Sequence, residues 1–151
     1  MEPIDTLVCA RWVLPVEPDG RVLDDHAVAI RSGRIVAVEP AAEARLRFDA
    51  HETIERPDHV VLPGLVNAHT HAALVLQRGR ARSLPIGRWL RAAGWTHRRR
   101  VTDPDFVRDG TELAIAEMLR GGITCFADMQ LWPDVVARAA SAAHVRASVG
   151  L

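Results

Sequence analysis

The first part of the chain carries short runs in which apolar and polar residues alternate, separated by strong turn signals. Residues 4–14 are strand-like, and the Glu-Pro-Asp-Gly segment at 17–20 signals a turn, because proline presets φ and glycine accepts positive φ. The last of these strands, residues 51–56, is expected to end at Pro57. No stretch is long and periodic enough for a major helix. The pattern predicts a small β-sandwich, or half of one, over residues 1–62.

From residue 63 the pattern changes to an alternation of strands and helices. The predicted strands are residues 65–69, 123–126 and 145–151, and the predicted helices lie within residues 74–100, 102–120 and 133–143. The central helix is bounded by Thr102 or Asp103 as N-cap and by Gly121-Gly122 as a stop. Its apolar stripe comprises Phe106, Val107, Gly110, Leu113, Ala114 and Met118. Such alternation predicts right-handed βαβ units around a parallel sheet.

Two histidines at the end of the first of these strands are the strongest candidates for chemistry. Side chains i and i+2 of a strand leave the same face, so His69 and His71 are expected to project together, with Asn67 beside them. Neutral imidazole binds zinc, copper, nickel or iron, and a catalytic zinc site takes three or so protein ligands. The spacing alone is more often that of an incidental pair on a half-exposed strand. The turn-forming Pro63-Gly64 before the strand favours the metal-ligand interpretation.

Composition narrows the classes of function. The 151 residues have a formal net charge of zero, which gives no general argument for binding nucleic acid or an anionic membrane. Cys9 and Cys125 lie far apart in apolar settings, which is typical of buried, reduced thiols rather than of a disulfide framework. No segment has the eighteen or so apolar residues of a membrane helix, and the acidic N-terminus does not resemble a signal peptide. A cytoplasmic location is therefore predicted.

Several motifs together resemble one known family. They are Ser32-Gly33-Arg34-Ile35-Val36-Ala37-Val38, Leu62-Pro63-Gly64-Leu65-Val66-Asn67-Ala68-His69-Thr70-His71, Arg78-Gly79, Trp89-Leu90, Glu117-Met118-Leu119-Arg120 and Thr124-Cys125-Phe126-Ala127-Asp128-Met129. With these motifs the chain resembles the N-terminal part of the metal-dependent amidohydrolase superfamily. It is most similar to the branch of methylthioadenosine and S-adenosylhomocysteine deaminases and chlorotriazine hydrolases. The run that contains both histidines is highly specific, and the other motifs support it.

The resemblance implies an α/β fold in two parts. Residues 1–62 would supply the N-terminal strands of a composite β-sandwich, and residues 63–151 the first three or so strands of a TIM-type (β/α)8 barrel. His69 and His71 would bind a divalent metal ion at the C-terminal end of the first barrel strand, usually Zn²⁺, with Fe²⁺ as the alternative. The metal lowers the pKa of its water. The hydroxide would attack a C–N or C–Cl carbon of a small heterocyclic substrate with a purine-like or triazine-like ring.

Length limits what this chain is expected to do alone. A complete barrel has about 250 residues, and residues 63–151 hold at most three of its eight strands. In the family, the remaining metal ligands and the catalytic glutamate and histidine come from later strands, so no catalytic residue is expected within this chain. The isolated chain is predicted to be inactive and to bind zinc weakly. It is also expected to form a homo-oligomer or to pair with a missing C-terminal portion.

One motif departs from the nucleoside deaminases. These enzymes carry Trp-Pro-x-Glu after the first barrel strand, with the glutamate binding ribose hydroxyls, whereas this chain has Trp95-Thr96-His97-Arg98. Arginine cannot accept hydrogen bonds from hydroxyls, so Arg98 favours an anionic or non-nucleoside substrate. Trp89 and Trp95 are candidate pocket residues beside it. The alternative is a solvated basic face, because residues 78–100 are rich in arginine and contain no acidic residue.

Other functions stay open from the sequence. Within the superfamily the runner-up is a cyclic-amide hydrolase, which opens a ring instead of releasing ammonia. A non-catalytic truncated remnant or an assembly subunit is a different class. Nucleic-acid binding by the arginine-rich segment is a distant third.

The remaining chemistry-bearing residues give weaker signals. Asp128 ends the second predicted strand at the edge that carries the histidines, so it either supports the site or has an ordinary structural role. His26, His51, His59 and His144 have no partner pattern and are predicted to be structural.

Overall fold

The computed structural model describes residues 1–79, 85, 87, 88 and 103–150, which belong to two compact units, Met1–Pro63 and Gly64–Leu151. The strands are β1 (Glu2–Val13), β2 (Leu23–Arg31), β3 (Arg34–Pro40), β4 (Phe48–Val61), β5 (Leu65–Thr70), β6 (Ile123–Asp128) and β7 (Arg146–Val149). The helices are α1 (Ala41–Arg47), a 3-10 helix (Ala72–Gln77), α2 (Pro104–Arg120) and α3 (Pro133–Ala142). None of the helices in the described ranges is long and apolar enough to cross a membrane.

The first unit is a four-stranded sheet in the order β3-β2-β1-β4. The central strand β1 pairs antiparallel with β2 and parallel with β4. One face of the sheet packs against α1, and the core between them consists of Ile4, Leu7, Cys9, Ala27, Ala29, Ala44 and Phe48. This unit therefore contains one sheet with a helix on one face, and not the two facing sheets of a complete sandwich.

The strand β4 is longer than the sequence predicts. It continues through Pro57 to Val61 instead of ending at the proline. The reason is its position at the edge of the sheet, where the missing N–H of proline removes no ladder hydrogen bond. The pairing with β1 also shifts register between Ala10 and Trp12, so the proline lies in a bulge.

The second unit is a parallel sheet in the order β5-β6-β7. Helix α2 precedes β6 and helix α3 joins β6 to β7, so strand and helix alternate as the sequence pattern predicts. The helices pack on the sheet around Phe126, which is fully buried. The other buried residues of this core are Ala72, Ala73, Val107, Ala114, Ile115, Met118, Val135, Val136, Ala139 and Ala140. This core joins the helices to the sheet.

Helix α2 begins and ends where its capping residues predict. The Asp103 side chain accepts a hydrogen bond from the Asp105 amide at 2.9 Å, and Pro104 is the first helical residue. At the other end, Gly121 caps the helix and Gly122 has a φ of +80°. The prediction that Leu113 lies on the apolar stripe is wrong, since it is 43% exposed. Its position lies off the buried face, which follows the helical spacing of Val107, Gly110, Thr111, Ala114, Ile115 and Met118.

The 3-10 helix after β5 lies directly on α2. Ala72 and Ala73 are buried, and a Cβ atom at Gly110 of α2 would be 2.5 Å from the Ala73 carbonyl oxygen. Glycine at this position is what permits the close approach. The contact fixes the chain immediately after His71.

Candidate metal centre

The two candidate histidines lie side by side at the C-terminal end of the parallel sheet. His69 is in β5, and His71 directly follows its last residue. The centroids of the two rings are 5.3 Å apart, and the ring planes are at 84° to each other. Both residues are exposed, so a ligand from solvent can reach them.

The ring of His71 is oriented by a backbone carbonyl of the neighbouring strand. Its Nδ1 atom lies 2.7 Å from the carbonyl oxygen of Met129, which follows β6. A carbonyl oxygen only accepts, so Nδ1 carries the hydrogen and, in the neutral ring, Nε2 keeps its lone pair. No pattern in the sequence indicates this contact, because every residue has a backbone carbonyl. The arrangement leaves Nε2 of His71 available to a metal ion.

Asn67 supports the backbone of β5 and lines a cavity together with His71. Its Oδ1 atom accepts a hydrogen bond from the His69 amide at 3.3 Å, and its Nδ2 atom donates to the Met118 sulfur of α2 at 3.8 Å. The sequence predicts Asn67 beside the histidines, and these contacts tie it to the backbone of one of them and to the cavity beside the other.

Asp128 is a buried carboxylate at the end of β6. It is 3% exposed, and neither carboxylate oxygen has a hydrogen-bond partner of ordinary geometry among the described residues. Burial raises the pKa of Asp128 above its ordinary value. The backbone amides of Ala72 and Met129 and the imidazoles of His71 and His69 lower that pKa, but less strongly.

An open cavity of about 390 Å³ lies beside His71. Arg78 and Glu117 also line it, and NH1 and NH2 of the Arg78 guanidinium donate to the two carboxylate oxygens of Glu117 at 2.8 and 2.5 Å. This bidentate pair joins the end of the 3-10 helix to α2. Two of the motifs that carry the family resemblance therefore meet in the structure.

The two histidines alone do not complete a metal site. Imidazole nitrogen is a suitable ligand for Zn²⁺, but a catalytic zinc site takes about three protein ligands. In residues 1–79 and 103–150, no group of three or more His, Cys, Asp or Glu residues could hold a metal ion. The two histidines therefore fit a divalent metal ion as a pair that needs further ligands. The predicted substrate-binding residues Trp89, Trp95 and Arg98 lie outside the described residues.

Comparison of the sequence with known proteins identifies similar hydrolases. Residues 60–151 match the model of the amidohydrolase family. A 5-methylthioadenosine/S-adenosylhomocysteine deaminase of Saccharophagus degradans is 44% identical over 147 residues, which are 97% of this chain and 33% of that protein.

Two solved structures are also similar. An adenosine deaminase from Xanthomonas campestris with bound zinc has 50% sequence identity and a TM-score of 0.93, covering 97% of this chain and 33% of that one. Atrazine chlorohydrolase TrzN from Arthrobacter aurescens TC1, complexed with zinc, has 27% identity and a TM-score of 0.80, covering 96% of this chain and 35% of that one. The chain thus spans about a third of the length of these relatives.

Proposed function

Because the chain belongs to the amidohydrolase family, we propose that it supplies the His69 and His71 part of a divalent metal site in a metal-dependent aminohydrolase. The observation that carries this proposal is the oriented ring of His71, whose Nδ1 lies 2.7 Å from the Met129 carbonyl oxygen. Metal-binding histidines characteristically donate their other ring N–H to a carboxylate or a backbone carbonyl. The neighbouring ring of His69, 5.3 Å away, provides the second ligand. Zn²⁺ is the expected metal, and Fe²⁺ is the alternative.

The fold that we propose for the whole protein is a (β/α)8 barrel with a β-sandwich. Residues 63–151 would form its first β/α units and residues 1–62 a part of its sandwich. The order β5-β6-β7 supports this proposal, because consecutive barrel strands are neighbours, whereas a doubly wound sheet reverses its order at a switch point. Catalytic groups of such barrels gather at the C-terminal ends of the strands, which is where both histidines lie.

Four residues at this end of the sheet have roles in the proposal. His69 and His71 bind the metal ion, the Met129 carbonyl orients the ring of His71, and Asn67 supports the His69 backbone. When bound, a divalent metal ion lowers the pKa of a coordinated water to about 7. The remaining ligands and the groups that transfer protons would come from polypeptide that continues the barrel, whether covalently linked or separately encoded.

The reaction that we propose is hydrolytic replacement of an amino group on a small purine-like heterocycle. Support comes from the 44% identity with a 5-methylthioadenosine/S-adenosylhomocysteine deaminase and from the 0.93 TM-score with an adenosine deaminase. Replacement of chlorine on a triazine-like ring is the second form of the same chemistry, supported by the lower identity of 27% with atrazine chlorohydrolase. For the substrate pocket, we propose that Trp89, Trp95 and Arg98 contribute, with Arg98 binding an anionic group.

A zinc titration of the isotopically labelled chain tests the metal site. We expect the imidazole signals of His69 and His71 to shift together with one dissociation constant, and the affinity to be weak because two imidazoles leave zinc under-coordinated. Replacing either one, as His69→Ala or His71→Ala, should lower the affinity at least about tenfold, or roughly 1.4 kcal/mol. His51→Ala, an exposed histidine of the first unit, is the matched control and should change nothing. Zinc affinity that survives both site variants would refute the proposal.

A further inference from the structure

Asp128 occupies the central strand of the sheet at the level of the histidines. In the register of the strands it lies opposite Thr70 of β5, the residue before His71, and opposite Val149 of β7. Its own carbonyl oxygen accepts a hydrogen bond from the Gly150 amide at 2.8 Å. The backbone of Asp128 therefore joins all three strands at the end that carries the candidate metal ligands.

The side chain of Asp128 is costly where it lies. An ionised carboxylate without hydrogen-bond partners is expensive to bury, and neither oxygen of Asp128 has a partner of ordinary geometry among the described residues. An apolar residue would avoid this cost, as Phe126 does two positions earlier on the same strand. A carboxyl group in such a position points to a polar role at this end of the sheet.

The neighbours of Asp128 point to that role, because it lies opposite Thr70, the residue before His71, and directly before Met129, whose carbonyl orients the His71 ring. The amides of Ala72 and Met129 and the imidazoles of His71 and His69 lower the pKa of its carboxyl group, although less strongly than burial raises it. Ala72 directly follows His71 and begins the buried 3-10 helix, while the carbonyl of Met129 accepts the hydrogen bond from Nδ1 of His71. Each of these groups belongs to one of the two histidines, to the residue that follows His71, or to the residue whose carbonyl orients the His71 ring.

The direction of the side chain argues for support rather than for metal binding. Residues i and i+2 of a strand leave the same face, so Asp128 shares the face of Phe126. Phe126 packs in the core on the helix side of the sheet, in the cluster that also contains Ala72 and Ala73. The carboxylate therefore lies with the buried turn that follows β5.

From this placement we infer that Asp128 is a positioning residue for His71. Its carboxylate holds the turn at His71 and Ala72 so that Nδ1–H meets the Met129 carbonyl and Nε2 stays free for the metal ion. The inference deepens the proposed function and rests on it for the part that concerns the metal. The orientation of the ring is a property of the metal-free chain and can be measured separately.

The experiment compares the wild-type chain with Asp128→Asn, which keeps the shape of the side chain and removes its charge. The control is Asp134→Asn, which removes an exposed carboxylate in the first turn of α3. Nitrogen shifts of the His71 ring at about pH 8, where imidazole is neutral, report which nitrogen carries the hydrogen. Hydrogen exchange at the Ala72 amide reports on the turn, and a zinc titration reports the affinity.

We expect the wild-type ring of His71 to carry its hydrogen on Nδ1 alone. In Asp128→Asn the ring should become a mixture of tautomers, the Ala72 amide should exchange at least about tenfold faster, and zinc affinity should fall about tenfold, the usual effect of losing a group that orients a metal ligand. Asp134→Asn should match the wild type in all three measurements.

Two results would overturn the inference. One is an Asp128→Asn chain that keeps the wild-type tautomer, Ala72 exchange and zinc affinity. The other needs no variant and applies even where Asp128→Asn does not fold: a mixture of His71 tautomers in the wild type. If zinc shifts no imidazole signal of the wild type, the metal site fails, whereas loss of the Nδ1–H tautomer in Asp128→Asn would still support the positioning of His71.

Discussion

The two ends of the β5-β6-β7 sheet differ in how completely their polar groups are paired. At the N-terminal end, the Leu65 amide donates to the Gly122 carbonyl at 2.8 Å, and the Val145 amide donates to the Ala140 carbonyl at 3.0 Å. The amides of the first residue of β5 and of the residue before β7 are therefore both hydrogen-bonded. The backbone at this end is therefore paired as in ordinary α/β proteins.

At the C-terminal end the pairing is incomplete. The Met129 amide reaches the Thr70 carbonyl only at 3.4 Å, and both oxygens of Asp128 lack hydrogen-bond partners among the described residues. His69 and His71 project beside them into solvent. Under the proposed function, this difference means that the first end of the sheet serves stability and the second serves metal binding, at some cost to stability. Changes at the first end should therefore alter unfolding, and changes at the second should alter ligand binding.

The largest effect on stability is expected from Gly64→Ala at the N-terminal end. A Cβ atom there would overlap the side chain of Thr124 and lie 2.7 Å from its Cβ atom. Such overpacking costs about 1–3 kcal/mol, because neighbouring backbone or side chains must shift. Equilibrium unfolding in urea should show this loss as a lower midpoint with an unchanged slope.

Gly121→Ala is the matched control at the same end of the sheet. The nearest atom to its added Cβ is the Met118 carbonyl oxygen at 3.4 Å, an ordinary contact, and its φ of −87° suits alanine. This variant should unfold within about 0.5 kcal/mol of the wild type. If the two glycine variants lose the same stability, the N-terminal end is not held by the contact with Thr124.

The sequence predicts the features that depend on residue identity and local spacing. The boundaries of α2 follow from Asp103, Pro104 and Gly121, because capping and backbone preferences act within one helical turn. The proximity of His69 and His71 follows from strand geometry. These parts of the fold and the site could be derived without coordinates.

The features that the sequence does not predict depend on neighbouring strands. The ring of His71 is oriented by the carbonyl of Met129, a backbone group that every residue has. The continuation of β4 through Pro57 follows from irregular pairing with β1, which is set by the partner strand. Local patterns do not contain the register of a distant strand, so these details appear only in the folded structure.

A smaller loss of stability is expected from Arg78→Ala, which breaks the ion pair with Glu117 in the lining of the cavity beside His71. Hydrogen bonds from the Arg78 guanidinium hold the pKa of Glu117 below its ordinary value. A lowered carboxyl pKa in the folded state stabilises the protein above the ordinary pKa of glutamate, and this contribution disappears as the pH falls through the lowered value. Both side chains are largely exposed, so the loss should be small and should decrease with added salt.

Unfolding experiments at neutral and acidic pH check this expectation. The free energy of unfolding should be lower for Arg78→Ala than for the wild type near neutral pH. The two values should be equal at acidic pH, where Glu117 is protonated. Glu117→Gln should lose a similar amount, and the double variant should lose little more than either single one. A difference that persists at acidic pH would assign the effect to packing of the arginine side chain rather than to its charge.

The smallest effect on stability is expected from His69→Ala at the C-terminal end. The ring is exposed, and the hydrogen bond from the His69 amide to Asn67 Oδ1 involves only the backbone of His69, so the variant retains it. Its free energy of unfolding should stay within about 0.5 kcal/mol of the wild type.

Asn67→Ala is the informative comparison, because it removes the hydrogen bonds to the His69 amide and the Met118 sulfur and should cost about 0.5–1.5 kcal/mol. If His69→Ala were the more destabilising of the two, the imidazole would contribute to the fold, and the division between a stable end and a binding end would not hold.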